Sequence, residues 1–367
     1  PDEDTAISQF GDGDRYFAIA TLLATIPGLP MIGHGQIEGF KEKYGMEYQR
    51  AYYDEKPNEW FVGEHYRRIF PLLRKRYLFS GVDAFNLYDC YDGSSVQESI
   101  YAFVNGVGSE RTLVLVNNHY ERCGGTIHKS VEKLSKEDSE KKTVITTLAE
   151  NLSLHFSPNH YVLFDNFSDG MTYIMPSMNV FDSGLTFALN GYEARVYWNI
   201  REVEDTDGVY EKIYSLYKGK GIKDIRVAVG LLRLSPVYKA MEELKSEETF
   251  NAIEDIIKGK ATRVTERTLL LNLAEAYSLL YELYPSLDET VKSMIKVEPK
   301  DVDPAPVVKM IKNLAKLFGK NGAKVFSSWA SIDNTLSLAF TSALFMLPFS
   351  EDQDHRSMME VSDRLLL

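Results

Sequence analysis

Residues 27–35 read Pro-Gly-Leu-Pro-Met-Ile-Gly-His-Gly, two prolines and three glycines in nine positions. No helix continues through such a run, because proline lacks the backbone donor and glycine pays the largest entropic cost of being ordered. Ahead of it, Gly11-Asp12-Gly13-Asp14 reads as a turn with Asp14 as helix cap, and residues 16–25 as an apolar helix. Pro27 stops that helix, Met31-Ile32 make a short buried strand, and Gly33 and Gly35 let the chain turn at its end. Helix, short strand and polar glycine-rich loop together read as one unit of an α/β barrel. Loops after the strands build the active site in that fold, which puts His34, Gln36 and Glu38 near chemistry.

A further helix is expected over 58–76, with Trp60, Phe61, His65, Ile69, Leu72 and Leu73 at helical spacing and a kink or break at Pro71. From about residue 78 the pattern changes. Segments 85–89, 100–104, 111–117 and 186–198 are short, rich in aromatic and branched residues, and separated by glycine, asparagine and aspartate turns, which suggests an antiparallel β-sandwich. The polar stretch 121–142 reads as a long connection or a disrupted hairpin. Beyond about residue 205, helix-compatible apolar spacing returns over 227–234, 236–244, 249–258, 266–284, 305–318 and 336–347. Leu269, Leu270, Leu273, Ala276, Tyr277, Leu280 and Leu283 make one broad apolar face that a bundle would bury. The expected layout is the end of a (β/α)8 barrel over 1–77, a sandwich over 78–200, a linker over 201–222 and an α-helical domain over 223–367.

Composition narrows the partners. Of 367 residues, 44% are hydrophobic and 12% aromatic, enough for real cores. The formal net charge of -12 argues against a nucleic-acid partner, which needs a basic footprint. The run Arg74-Lys75-Arg76 reads as solvated surface. Cys90 and Cys123 make neither a disulfide framework nor a cysteine metal site and read as free thiols. No histidine and carboxylate spacing suggests a metal, and no glycine pattern suggests a nucleotide cofactor. The longest membrane-span candidate, 336–347, is interrupted by Thr341 and Ser342 and followed by Pro348, so no membrane partner is expected and a cytoplasmic location is assigned.

The phrase 26–39, Ile-Pro-Gly-Leu-Pro-Met-Ile-Gly-His-Gly-Gln-Ile-Glu-Gly, resembles the eighth-strand signature of the α-amylase superfamily of glycoside hydrolases. The order of parts also fits: in that family a sandwich follows the barrel, and 191–197 looks like its last strand. The match covers about half of the chain. It departs where many members carry two aromatic residues, here Gly33 and His34, and an acidic residue, here Gln36, which puts ordinary subsite contacts in doubt. The helical region has no counterpart in a plain amylase.

The resemblance implies a retaining mechanism, in which one carboxylate attacks the anomeric carbon and a carboxylic acid protonates the leaving oxygen. Those two groups belong to strands four and five, which would lie ahead of Pro1. The expectation is therefore a C-terminal piece of an α-glucan hydrolase or transglycosylase, inactive by itself, whose partners are an α-glucan or oligosaccharide and the upstream part of the same polypeptide. Asp2 stands where the family's third, transition-state-stabilising acid would fall, or else in an ordinary acidic loop. His34, Gln36 and Glu38 are the candidate substrate-binding residues. For His34 and Glu38 the alternatives are a buried structural histidine and a loop cap. Glu47, Asp54 and Glu55 beside Tyr48, Tyr52 and Tyr53 make either a sugar-stacking rim or packing against the sandwich, with packing preferred. The alternative function is a non-catalytic carbohydrate-binding or scaffolding protein on an amylase-like frame.

Overall fold

A computed structural model describes residues 4–43, 50–134, 142–242, 246–286, 292 and 303–318. The chain divides into two compact units, residues 1–225 and 226–367.

The first unit opens with α1 (Ala6–Phe10) and α2 (Asp14–Thr25). Gly13 is the residue flanking α2, so Asp14 lies in the first turn rather than at the cap; there it pairs with Arg68 at 3.0 Å. After the 26–40 loop come α3 (Glu59–Glu64), a π-helical turn at His65–Ile69 and α4 (Phe70–Arg74). The side chain of Asn58 caps α3 by accepting from the Phe61 amide. The break expected at Pro71 takes the form of this π-turn: a proline without an N–H, whose ring crowds the carbonyl four residues back, is accommodated when the Phe70 amide reaches one residue further, to the His65 carbonyl.

Met31 and Ile32 form no strand, contrary to the expected barrel unit. A parallel strand is held by ladders on its flanks, and no described residue pairs with this segment; Met31 is 80% exposed and Leu29 91%.

The sheets follow. β1 (Asn86–Tyr88), β4 (Ile100–Val107), β5 (Glu110–Asn117), β12 (Ala194–Glu204), β9 (His160–Asn166) and β10 (Thr172–Pro176) form a six-stranded antiparallel sheet in that spatial order. β11 (Leu185–Leu189), β6 (Cys123–Ile127), β2 (Tyr91–Asp92) and β3 (Ser95–Val96) form a second, and β7 (Lys133–Leu134) pairs with β8 (Thr143–Val144). Segment 186–198, expected as one strand, is two: the turn at 190–193 sends β11 to one sheet and β12 to the other. The 121–142 stretch contributes β6 to the smaller sheet, so it is more than a connection.

The large sheet is buried on both faces. Leu113 and Leu115 of β5 join Val162, Phe164 and Tyr197 in a core shared with the smaller sheet, α5 (Leu148–Asn151) and α6 (Ser177–Ser183). Val114, Val116, Phe103 and Val196 point the other way, against Tyr16, Phe17, Phe61 and Leu72 of the helices. This is why 112–116 reads Thr-Leu-Val-Leu-Val rather than alternating: a strand covered on both sides needs apolar groups at successive positions. Helices, large sheet and small sheet thus make three layers. Residues 201–222, expected as a linker, hold the end of β12 and α7 (Val209–Tyr217).

The second unit is helical, with α8 (Ile225–Glu242), α9 (Glu247–Ile257), α10 (Arg263–Leu283) and α11 (Ala305–Phe318). The expected break before Pro236 is absent; α8 runs through it, the lost donor being tolerated where turns on both sides are hydrogen-bonded. Ser246 caps α9, and Thr262 exchanges hydrogen bonds with Thr265 at the start of α10. Leu269, Leu273, Ala276, Tyr277 and Leu280 form the buried face expected of α10, against Ile253 and Ile256 of α9 and Val307 and Ile311 of α11. The candidate helix 336–347 lies outside the described residues, as does the structure of Asp2, Glu47 and Tyr48.

Candidate functional site

The 26–40 loop is tied down at two points. At its start the guanidinium of Arg76 donates to three carbonyls, those of Ala24 (2.9 Å), Ile26 (2.6 Å) and Gly28 (2.5 Å). Its neighbour Lys75 places its ammonium 4.5 Å from the Trp198 ring centroid. The basic run 74–76 is therefore an anchor rather than plain solvated surface.

At the second point, Gln36 bridges the loop to the helices. Its Oε1 accepts from the Gly33 amide at 3.0 Å, and its Nε2 donates to the Tyr16 hydroxyl at 3.2 Å. Tyr16 in turn lies 2.8 Å from His65 Nε2, and His65 Nδ1 lies 2.8 Å from the Phe61 carbonyl. A carbonyl only accepts, so His65 carries its proton on Nδ1 and accepts a hydrogen bond from the Tyr16 hydroxyl at Nε2. The relay runs in one direction, from amide to phenol to imidazole to backbone, and every member is satisfied. Tyr16 and His65 are each 2% exposed. Burial lowers the His65 pKa, opposed by its bond to Phe61 and by the Glu38 carboxylate nearby, and burial raises that of Tyr16.

Chemically this relay positions and does not catalyse, since both imidazole nitrogens are occupied and no solvent reaches them. It orients Gln36 through its side chain. His34 is exposed, its ring centroid 6.3 Å from that of Phe40, so the buried structural histidine of this region is His65 and not His34. Glu38 is half-buried; its backbone carbonyl accepts from the Asn58 amide at 2.9 Å, while its carboxylate acts on His65 by charge. The structure thus brings His34, Gln36 and Glu38 onto one anchored loop. Tyr16 and His65 escaped sequence reasoning, although both stand in the apolar stripes of their helices, where a polar group signals a buried partner.

Beyond the loop, Glu55 accepts from the amides of Lys41 and Glu42, and Glu42 from those of Tyr52 and Tyr53, so the two carboxylates tie residues 41 and 42 to residues 52, 53 and 55. Tyr52 and Tyr53 are exposed rather than packed against the sandwich. A cleft of about 540 Å³ lies between the helices and the large sheet, lined by Asp14, Arg67, Arg68, Phe167, Tyr192 and Glu193 among others. A metal-competent group also exists, contrary to expectation: His155, His160 and Glu202 each offer a donor atom within 4.8 Å of the others. Spacing along the chain hides it, because Glu202 stands on a different strand from both histidines. No described helix is long and apolar enough to cross a membrane.

No family model and no curated protein matches the chain. Among solved structures it is similar to an α-amylase from Geobacillus thermoleovorans complexed with acarbose, at 15% identity and a TM-score of 0.33, over 51% of this chain and 33% of that one. It is similar also to the native form of a debranching enzyme from Nostoc punctiforme, at 17% identity and a TM-score of 0.35, over 54% of this chain and 34% of that one. The chain spans about a third of the length of these proteins.

Proposed function

We propose that this chain is the C-terminal part of a glycoside hydrolase or transglycosylase of α-amylase type acting on α-glucans by a retaining mechanism. The observation that carries the reading is the 26–40 loop. It is fixed by Arg76 at one end and by the Gln36–Tyr16–His65 relay at the other, yet it leaves Leu29 and Met31 almost fully exposed. A rigid loop with uncovered apolar side chains is what the closing unit of a barrel presents when its remaining strands are not alongside. In that setting His34, Gln36 and Glu38 would lie at the substrate rim and hydrogen-bond sugar hydroxyls, and Asp2 would be the transition-state-stabilising acid.

Retention of configuration needs a nucleophilic carboxylate and a general acid about 5 Å apart. On this reading they come from the polypeptide ahead of Pro1, and the 367-residue chain releases no reducing sugar from starch. The test is the coding sequence upstream, followed by an assay of the intact product. An aspartate and a glutamate at the ends of strands four and five, with starch cleavage abolished by replacing either, support the reading. Their absence, or starch cleavage by the 367-residue chain alone, overturns it. Absence with retained oligosaccharide binding would move the function to a carbohydrate-binding frame.

A further inference from the structure

We propose that His155, His160 and Glu202 form a binding site for one divalent transition-metal ion of the zinc class. The topology places them together. β9 and β12 run antiparallel with His160 opposite Glu204 and Val162 opposite Glu202, so His160 and Glu202 are diagonal neighbours on one face. The loop between α5 and β9 carries His155 back over that face, where its Nδ1 lies 2.5 Å from Glu202 Oε2. All three donor atoms fall within 4.8 Å of one another.

Two further observations distinguish this group from a chance surface pair. Glu202 is held by donors that are not ligand atoms: the Ser177 hydroxyl, from outside the cluster, donates to Oε1 at 2.5 Å, and the backbone amide of His155 donates to Oε2 and Oε1 at 3.0 and 3.1 Å. Outer-sphere hydrogen bonds of this kind orient a metal-binding carboxylate. Meanwhile His160 Nδ1 is buried with no hydrogen-bond partner among the described residues. Buried polar atoms are nearly always satisfied, so this ring is held where its surroundings leave its bonding capacity unused.

Two imidazoles and a carboxylate suit a borderline cation such as zinc rather than calcium or magnesium, which take oxygen ligands. Tetrahedral zinc would draw the donors to about 3.4 Å apart. His155 Nδ1 has to back away from Glu202 Oε2 to admit the ion, and its side chain, 75% exposed, has room to do so. Coordination through Nδ1 takes the neutral ring in its other tautomer: the proton that bridges to Glu202 is exchanged through solvent for one on Nε2, with no net release from a neutral imidazole. Three protein ligands keep a fourth position for water or another donor, and the ion fastens the 152–159 loop to the sheet.

The experiment is calorimetric titration of the chelator-stripped full chain with zinc chloride alone. One equivalent bound by the wild type, weakened about tenfold or more in both His155→Ala and His160→Gln, with no uptake of calcium, is the expected result. The exposed His155 makes the first variant safe for folding, and circular dichroism checks the second. No zinc uptake, uptake unchanged in either folded variant, or equal uptake of calcium overturns the proposal. None of these outcomes bears on the glycosidase reading, which the upstream carboxylates decide.

Discussion

His65 shows how a single side chain records its surroundings. Its ring is closed in by Tyr16, Phe17 and Phe61, with ring centroids 4.7 to 5.4 Å away, and both of its nitrogens are engaged. Burial holds its pKa below the ordinary imidazole value, so the folded chain keeps it neutral where the unfolded chain takes up a proton. The stability this creates is fully present above the unfolded value of about 6.5 and declines as pH falls from there through the folded value. The urea midpoint of the wild type should therefore fall more steeply on acidification from about pH 7 to 5 than that of His65→Gln, which has no titrating ring. Parallel pH profiles would show that the ring's burial is not linked to stability. At this scale the sequence made the 26–39 phrase and its polar members visible, but it could not say that Gln36 would lean on Tyr16. That bond spans 20 residues of chain and depends on the 26–40 loop folding back onto α2.

Elements show the same division. The apolar run of β5 was legible as a strand, since branched residues crowd a helix and suit a pleated sheet. What lies against each face was not, because a run of apolar residues says only that both faces are covered and not by what. The structure supplies a sheet on one side and helices on the other. Leu115→Ala and Phe103→Ala, which empty opposite faces, should each lower stability by about 2–5 kcal/mol in chemical denaturation. In a sheet with one solvated face, one of the two would cost far less. Strands β2, β3, β6, β9 and β10 were all missed; β2 and β3 are two residues long and show no period, and β6 carries Gly124 and Gly125, residues that normally argue against a strand. Here they are required by close approach: a Cβ on Gly125 would sit 2.3 Å from the Tyr91 carbonyl oxygen, and one on Gly124 as near the Phe187 carbonyl oxygen.

For the whole molecule, each of the two units carries its own buried cluster, one of them entirely helical. A domain with its own core folds by itself. Residues 1–225 expressed alone should therefore unfold in one cooperative transition, with amide exchange protection in β4, β5 and β12 matching that of the full chain. Loss of that protection would mean that the first unit depends on the second.

The sequence by itself determined where α2, α10 and α11 stop, that 100–104 and 111–117 are extended and which face of α10 is apolar, since these follow from proline and glycine geometry and from hydrophobic period, both local properties. It also displayed the 26–39 phrase whole, because that motif is contiguous. Only the tertiary structure decided that Met31-Ile32 lacks a ladder, that Arg76 and His65 anchor the site loop, and that His155, His160 and Glu202 meet. A ladder, a buried relay and a metal-competent cluster are each made by groups distant in sequence, and only chain folding sets the distances on which their energies depend.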